Sequence, residues 1–286
     1  MNLAQMMRIS ASAWIVTSAI TSAAMAQDFD GPGSDDAEAD GGDWSFFIGA
    51  GVEYEPEYEG SDVYETSAMP GFQAVWRDRF MISPMGLGAF IINEENFRLS
   101  AAVGYGGGRK ESDSPYLRGM GDIDDGAEIS LGMQYDLGGL VATADVRKFT
   151  SGSKGTLVSF GLQSEVPFGV ALGALLPTGT NISEVGNERG LVLTGGMSVD
   201  WGDEKYNQSF FGVNAAQSAS SGLTQYSAGS GAKSVNLDLG FAKPLGKNWG
   251  LTGGVTYSRL LGDVADSPLV KSDNSLSASL FVGFNF

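Results

Sequence analysis

The chain has 286 residues, a formal net charge of -17, and neither cysteine nor histidine. Without cysteine it can form no disulfide, thiolate metal site or thiol nucleophile, and without histidine it cannot build a Ser-His-Asp triad. The acidic balance argues against nucleic-acid binding, which needs clusters of lysine and arginine.

The first 26 residues have the order of a secretory signal peptide. Arg8 supplies a positive start, an apolar stretch covers 9–20, and Ala24-Met25-Ala26 has the small-residue form of a cleavage site. An amphipathic N-terminal helix is the alternative interpretation. We expect residues 1–26 to be removed on export.

An acidic segment follows at 27–43. It holds seven acidic residues and no basic one, with Gly and Pro between them. Such a stretch cannot bury enough apolar area to offset its ordering entropy, so we predict a disordered periplasmic leader. A role as an acidic docking tail is the alternative.

From Trp44 to Phe286 the hydropathy alternates with period two. Apolar residues occupy the odd positions of 129–137 and of 235–241, and polar or small residues lie between them. These segments run to about ten residues, the length of a tilted membrane-spanning strand. An open sheet edge in lipid would leave backbone groups unpaired, so residues 44–286 predict a closed antiparallel transmembrane β-barrel. Aromatic girdles at both membrane interfaces would come from residues near strand ends: Trp44, Tyr54, Trp76, Tyr135, Trp201, Trp249 and Tyr257.

The connections between these segments predict the orientation. Short turns are expected at 138–139, 167–168, 202–205 and 245–248, and longer polar stretches at 108–124, 150–154, 178–188, 214–231 and 263–274. Outer-membrane barrels have short periplasmic turns and long outer loops.

The strand number depends on two segments. Ten strands are expected after residue 96 and two before it, at 44–54 and about 64–77. The stretch 79–92 adds one strand, for thirteen, or two split at Pro84 and Gly86, for fourteen; alternatively 64–92 holds one fewer spanning strand, for twelve. Because single-chain bacterial barrels have even numbers, we favour twelve strands within a range of ten to fourteen.

The last twelve residues carry the clearest alternation. Leu280, Val282, Phe284 and Phe286 share one face with Leu276 and Ala278. The chain ends on an aromatic residue in register with this face. This end resembles the C-terminal strand that the barrel-assembly machinery of Gram-negative bacteria reads, so these positions are the expected assembly signal.

Four further motifs, in order along the chain, resemble the MipA/OmpV family of outer-membrane proteins. The positions that carry the resemblance are Pro56, Tyr58, Gly60, Ser61, Asp62, Leu117, Gly119, Asp122, Ile123, Tyr206, Phe211, Gly212, Val213, Ser267 and Pro268. The stretch 167–190 is longer than expected for the family.

The resemblance implies a cell-envelope protein in contact with outer-membrane lipid and lipopolysaccharide. It further implies a non-enzymatic peptidoglycan scaffold that links a lytic transglycosylase to a peptidoglycan synthase, with no catalytic, cofactor or metal residue to carry over. A small cation-leaning channel and a surface adhesin are the alternatives. Carboxylate-only or Ser-Lys chemistry keeps an enzyme open as a further one.

Two sets of acidic residues allow either a structural or a functional interpretation. Asp122, Asp124 and Asp125 lie on a predicted outer loop; we interpret them as solvated, because calcium loops need a fuller set of oxygen ligands. Glu residues alternate along 53–59, which on a strand would give an acidic, cation-selective mouth. Because Pro56 disfavours a regular strand, we expect them to point into water from a loop.

The remaining candidates are lumen charges and aromatic clusters. Arg98, Arg147 and Asp145 face the predicted lumen, where they either line a pore or, as we expect, pair across it. Tyr58 and Tyr206, each beside a glycine-containing turn, either form a ligand platform or serve as turn and girdle residues.

Overall fold

A computed structural model describes residues 43–84, 86–168 and 190–286. The predicted signal peptide, the leader up to residue 42 and the expected loop at 178–188 lie outside the described residues. No helix in the described ranges is long and apolar enough to cross a membrane.

Strands dominate the described chain and close on themselves in antiparallel order, with the first strand paired to the last. Their bounds are β1 Trp44–Pro56, β2 Tyr64–Trp76, β3 Phe80–Ser83, β4 Gly86–Asn93, β5 Phe97–Gly106, β6 Gly126–Asp136, β7 Val141–Phe149, β8 Thr156–Pro167, β9 Val192–Gly202, β10 Gly231–Pro244, β11 Trp249–Leu260 and β12 Asn274–Asn285. The predicted closed barrel of twelve strands is confirmed.

The alternation in sequence becomes an outside and an inside. In β1 the even-numbered residues from Trp44 to Tyr54 point outward and are exposed, as lipid-facing side chains are before a bilayer surrounds them. In β12 the even-numbered residues point outward in the same way, including Leu280 and Val282, and Phe286, just after the strand, is exposed as well. The ring of Phe286 contacts that of Phe284 at a tilt of 57°, with ring centroids 5.4 Å apart.

The closing seam between β1 and β12 depends on glycine. Phe281 points inward and stacks on Phe47, with ring centroids 5.7 Å apart. A Cβ at Gly51 would lie 2.7 Å from the Phe281 ring, too close for any other residue. The inward aromatic pair therefore fits because the wall beneath it has no side chains.

The connections define two rims. The inner rim carries Trp44, Phe286 and the turns after β2, β4, β6 and β10; the outer rim carries the long connections 57–63, 107–125, 150–155, 203–230 and 261–273. The longer outer connections hold a 3-10 helix (Pro115–Leu117) and three short α-helices: α1 Glu204–Phe211, α2 Ala215–Ser221 and α3 Gly262–Ala265.

The stretch 79–92 forms two strands, which is the split at Pro84 and Gly86 that the sequence left open, because Gly86 turns the chain at a φ of +135°. Two other expected details are wrong. Within 97–168 and 190–286, the ranges that the structure describes after residue 96, there are eight strands, two fewer than expected. The expected short turn at 202–205 instead starts α1, where Asp203 caps the helix by accepting the backbone N–H of Tyr206 at 2.8 Å.

The connection after β8 also differs from expectation. Phe168 donates its backbone N–H to the carbonyl of Leu191 at 2.9 Å, so the chain leaves and re-enters the barrel at the inner rim. The expected two-residue turn at 167–168 is therefore one end of a long inner-rim connection, whose residues 169–189 are not described.

Candidate functional site: a capped outer mouth over a two-sided lumen

Side chains from four outer connections form one apolar cluster over the outer mouth. Tyr58, Leu117, Met120, Val213 and Leu269 are each at least 93% buried and pack together. They come from positions as far apart in sequence as 58 and 269. We call this cluster, with the loops that carry it, the cap.

Side-chain to backbone hydrogen bonds join the loops of the cap. The Tyr58 hydroxyl donates to the carbonyl of Leu269 at 3.0 Å, and the Tyr116 hydroxyl donates to that of Pro268 at 2.8 Å. The Ser267 hydroxyl donates to the carbonyl of Phe211. Each bond satisfies a polar group that would otherwise be buried without a partner, so the cap is held in one arrangement.

The motif positions identified from sequence converge on this cap. Pro56 ends β1 at its edge, and eleven of the others lie within its loops, buried or half-buried: Tyr58, Gly60, Ser61, Leu117, Gly119, Ile123, Phe211, Gly212, Val213, Ser267 and Pro268. Tyr206 packs just below, while Asp62 and Asp122 are exposed on its surface. Because Tyr58 and Tyr206 are buried in packing, the alternative of an exposed ligand platform at these tyrosines is wrong.

Gly60 shows why one of these positions is a glycine. Its φ is +96°, and a Cβ there would lie 2.9 Å from the side chain of Val270. Its carbonyl accepts the backbone N–H of Lys271 at 2.7 Å and that of Ser272 at 3.1 Å. The first outer loop is thus fastened to the last.

Arg109 lies in the base of the cap, 6% exposed. Its guanidinium donates to the carbonyl of Phe210 at 2.5 Å. Burial lowers the pKa of Arg109 to about 10, against the opposing effects of Tyr58 and Asp113. At neutral pH the cap therefore encloses a positive charge.

Helix α1 fills the outer mouth just below the cap. Tyr206 is 1% exposed and contacts the rings of Phe149 and Phe210, with centroids 5.5 Å and 4.8 Å away. Burial raises the pKa of Tyr206 to about 12. Its hydroxyl has no hydrogen-bond partner among the described residues, so burying this hydroxyl carries a desolvation cost that no hydrogen bond offsets.

A β-bulge aims Lys233 into the lumen beneath α1. The register between β10 and β9 skips Lys233, so that Lys233 and Ser234 are both buried although they are neighbours in one strand. The Lys233 ammonium pairs with Glu59 of the first outer loop and lies 3.9 Å from Asp200 of β9. This latch ties the cap to the barrel wall.

Two more polar groups fill the lumen near the latch. Asp200 accepts hydrogen bonds from Ser159 at 2.6 Å, Ser234 at 2.9 Å and Asn236 at 3.1 Å. Arg147 pairs with Glu128 at 2.7 Å, both nearly buried. Of the three lumen charges predicted from sequence, Arg147 is therefore paired, but with a residue of the neighbouring strand and not across the lumen.

The expectation that the alternating glutamates point into water is wrong for Glu53, Glu55 and Glu59. Glu53 and Glu55 lie in β1, point inward and are 5% exposed, because Pro56 ends the strand without breaking it. Glu59 lies on the first outer loop and takes part in the latch. The signal that was available is the unbroken alternation from 44 through 55.

The carboxylates of the acidic cluster on the second outer loop have ion-pair and hydrogen-bond partners within that loop. Lys110 lies 3.8 Å from Asp122 and 3.3 Å from Asp124, and Asp125 accepts the backbone N–H of Gly108 at 2.7 Å. These carboxylates order their own loop.

Below the cap the lumen is filled on one side and hollow on the other. Inward residues of β8, β9 and β10, such as Ser159, Asp200 and Asp238, are buried, whereas inward residues of β2 and β5, such as Met69 and Ser100, are half-buried. A cavity of ≈ 390 Å³ occupies the hollow side. Its size falls within the usual range of small-molecule sites.

Comparison with known proteins gives the family. The family described as MltA-interacting protein MipA matches residues 48–286. The chain belongs to this family. The resemblance inferred from the four motifs is thereby confirmed, and the family is named for an interaction and not for a reaction.

Curated relatives match part of the chain. A stretch of 97 residues is 33% identical to the MltA-interacting protein of Escherichia coli (strain K12) and covers 34% of this chain and 38% of that protein. A stretch of 109 residues is 31% identical to the outer membrane protein Omp26La of Vibrio anguillarum, covering 38% and 42% respectively. The matches thus span well under half of either relative.

The protein is an outer-membrane protein, so its outer rim faces the exterior and its inner rim the periplasm.

Solved structures resemble the chain only distantly. A KdgM porin has a TM-score of 0.37 at 8% identity, covering 84% of this chain and 99% of its own. A NanC porin has a TM-score of 0.38 at 8% identity, covering 84% and 98%.

Proposed function

We propose that this protein is a non-enzymatic scaffold of the outer membrane. It would bind a murein-cleaving lytic transglycosylase, and with it a peptidoglycan synthase, at the periplasmic rim. The name of the Escherichia coli relative, MltA-interacting protein, supports the first partner. The second partner rests on the family resemblance alone.

The observation that carries this proposal is the cap. The outer loops pack their apolar side chains against one another and lie over the latch, which closes the outer mouth, whereas the short turns of the opposite rim lie on the periplasmic side. Glu95 and Lys247 are exposed on two of these turns. Since murein and its enzymes lie in the periplasm, this rim is where a scaffold would hold them.

Affinity isolation from cross-linked envelopes tests the proposal. The tagged mature barrel should recover a lytic transglycosylase or a peptidoglycan synthase, and an unrelated barrel of similar abundance should not. Recovery of neither enzyme, with other envelope partners still present, would contradict the scaffold function.

The hollow side of the lumen favours a second function, a small cation-leaning channel. The cavity and the inward Glu53 and Glu55 are its support. A channel needs a water path through the outer mouth, which the cap occupies, so planar-bilayer recordings should show no conductance steps. Regular steps would favour the channel. An adhesin, the other alternative, would show saturable host-surface binding by the outer loops.

The absence of catalysis is part of the proposal. Asp200 and Arg147, two of the buried charged groups of the lumen, are engaged in hydrogen bonds or ion pairs. Purified protein incubated with murein sacculi should release no soluble fragments; release that depends on a lumen carboxylate would contradict this.

Three further features of the chain remain proposals. Cleavage after Ala26 would be seen by N-terminal sequencing of the mature protein, and a sensitivity of 27–42 to protease would support the leader. Lipopolysaccharide and lipid would contact the aromatic girdles. The C-terminal assembly signal predicts that deleting Phe286 lowers the amount of assembled barrel, which heat-dependent mobility on gels measures.

A further inference from the structure

The barrel wall is nearly interrupted between β2 and β3. β2 has 13 residues and β3 has 4, and the ladder that joins them consists of Ala74–Trp76 paired with Phe80–Ile82. In the described part of the chain, residues 66–73 of β2 pair with β1 and with no second strand. We call this open edge, above the tip of the β3–β4 hairpin, the notch.

Phe72, on the outward face of this edge, is an exposed apolar residue like the other lipid-facing side chains, so we infer that the notch lies where the wall crosses the membrane. Unpaired backbone N–H and C=O groups facing hydrocarbon cost several kcal/mol each, so an edge of this kind requires water behind it. Pro70 lies on the open edge and removes one donor. Met69, Gly71 and Gln73 of this edge also line the ≈ 390 Å³ cavity, so the notch and the cavity are continuous.

The cavity has an apolar and a polar side. Near the notch it is lined by Phe47, Met69, Met81 and Phe281. Across the lumen it is lined by Gln134, the Arg147–Glu128 pair and Ser159. Such a lining matches a ligand with one apolar and one polar part, and the adjoining membrane is a reservoir of molecules of that kind.

Arg98 gives the cavity a preference for anionic ligands. It is the second residue of β5, close to the periplasmic rim, and its side chain lines the cavity. Among the residues that the structure describes, Arg98 has no ion-pair partner, whereas Arg147 is paired with Glu128. A half-buried arginine of this kind favours an anionic group such as a carboxylate or phosphate.

We propose that the cavity binds an anionic single-chain amphiphile that enters from the membrane through the notch. Its head group pairs with Arg98 at the periplasmic level, and its acyl chain lies against Met69 and Met81. A fatty acid and a lysophospholipid share this chemistry. The site goes beyond the scaffold function and does not depend on it.

A second copy of the chain is a poorer occupant of the notch. Two barrels with the same orientation in the membrane would bring their β2 strands together in parallel, which is the weaker pairing and leaves the cavity empty. The acidic leader has the charge to reach Arg98, but Phe29 is its only large apolar residue.

Native mass spectrometry of the mature barrel in neutral detergent tests the proposal. The probes are palmitate, lysophosphatidylglycerol and the uncharged monopalmitoylglycerol. Ala102→Leu fills the cavity, because Ala102 points inward beside Gly88. Ala50→Leu, which points outward into lipid, is its matched control. Arg98→Gln removes the charge, with the exposed loop residue changed in Arg118→Gln as control.

We expect one bound anionic probe per barrel. Ala102→Leu should weaken binding of all probes by about tenfold or more, and Arg98→Gln should weaken the two anionic probes by about tenfold while leaving the uncharged one unchanged. Binding of palmitate alone identifies a fatty acid as the ligand, and binding of the lysophospholipid alone identifies a membrane lipid. No bound probe, or equal binding by Ala102→Leu and Ala50→Leu, would overturn the proposal.

Discussion

The latch offers a direct test of how the cap is held. Replacing Lys233 by methionine keeps the length and packing of the side chain but removes the ammonium that pairs with Glu59 and faces Asp200. Two carboxylates would then remain inside the outer mouth without their counter-charge. The other basic residue of β10, Lys243, lies at the opposite end of the strand and cannot take its place.

The size of the effect follows from the surroundings of the two carboxylates. Removing one partner of a buried ion pair typically costs about 3–5 kcal/mol. Asp200 keeps three hydrogen-bond donors, and the Glu59 side chain is 21% exposed, so we expect the lower end, about 3 kcal/mol. The double variant Glu59→Gln with Lys233→Met should recover about 1–2 kcal/mol of this loss, since it leaves one charge fewer.

Urea unfolding of the mature barrel in detergent measures these free energies, and Arg259→Met provides an exposed control. Lys233→Met should also speed proteolysis in the first outer loop. A loss below about 0.5 kcal/mol in Lys233→Met, typical of a surface change, would refute the latch. A double variant as unstable as Lys233→Met would refute the pairing with Glu59.

Three further predictions concern packing and pH. Leu117→Ala should cost about 2–5 kcal/mol or detach the cap locally, because Leu117 is fully buried in it; limited proteolysis of the loops separates the two outcomes. Gly71→Ala should cost about 1–3 kcal/mol by overpacking against Phe281, whose ring would lie 2.8 Å from the added Cβ, and Phe281→Leu in the same chain should restore part of it, as urea unfolding would show. The pKa of Tyr206 rises from 10.0 to about 12 on folding, so its contribution to stability is complete below pH 10 and is lost as pH rises from 10 through 12. Tyr206→Phe should lessen this alkaline loss; an unchanged pH profile would show that other groups cause it.

The barrel could be predicted because its signal is local and repeated. Alternation at period two, as in 129–137, depends on nothing outside the segment, and the even strand number follows from closure. The outward face of β12, ending at Phe286, could be seen in the same way.

The cap could not be predicted from such a signal. The Tyr58 hydroxyl finds its acceptor 211 positions away, and no pattern within either loop indicates the other. The motifs that marked the family therefore appeared as separate turns, although they form one packed cluster. Helix α1 was not predicted, because its eight residues are too few to show the helical period in the sequence. Asp203 before Glu204 is nevertheless an N-terminal capping signal.

The latch was missed for a different reason. A β-bulge changes the face on which a residue lies, so strict alternation cannot place Lys233 inside the barrel. Conversely, Pro56 was given too much weight: at the end of a strand it removes no ladder hydrogen bond that is needed, and Glu53 and Glu55 stay in β1.

Site-specific cross-linking in growing cells tests the scaffold function most directly. The chain has no cysteine, so single cysteines can be placed at Lys247 on a periplasmic turn and at Ala219 on the exposed surface of α2 in the outer rim. The scaffold function predicts cross-links from Lys247→Cys to a murein-cleaving or murein-synthesising enzyme and none from Ala219→Cys. Cross-links to such an enzyme from neither position, or equally from both, would contradict it.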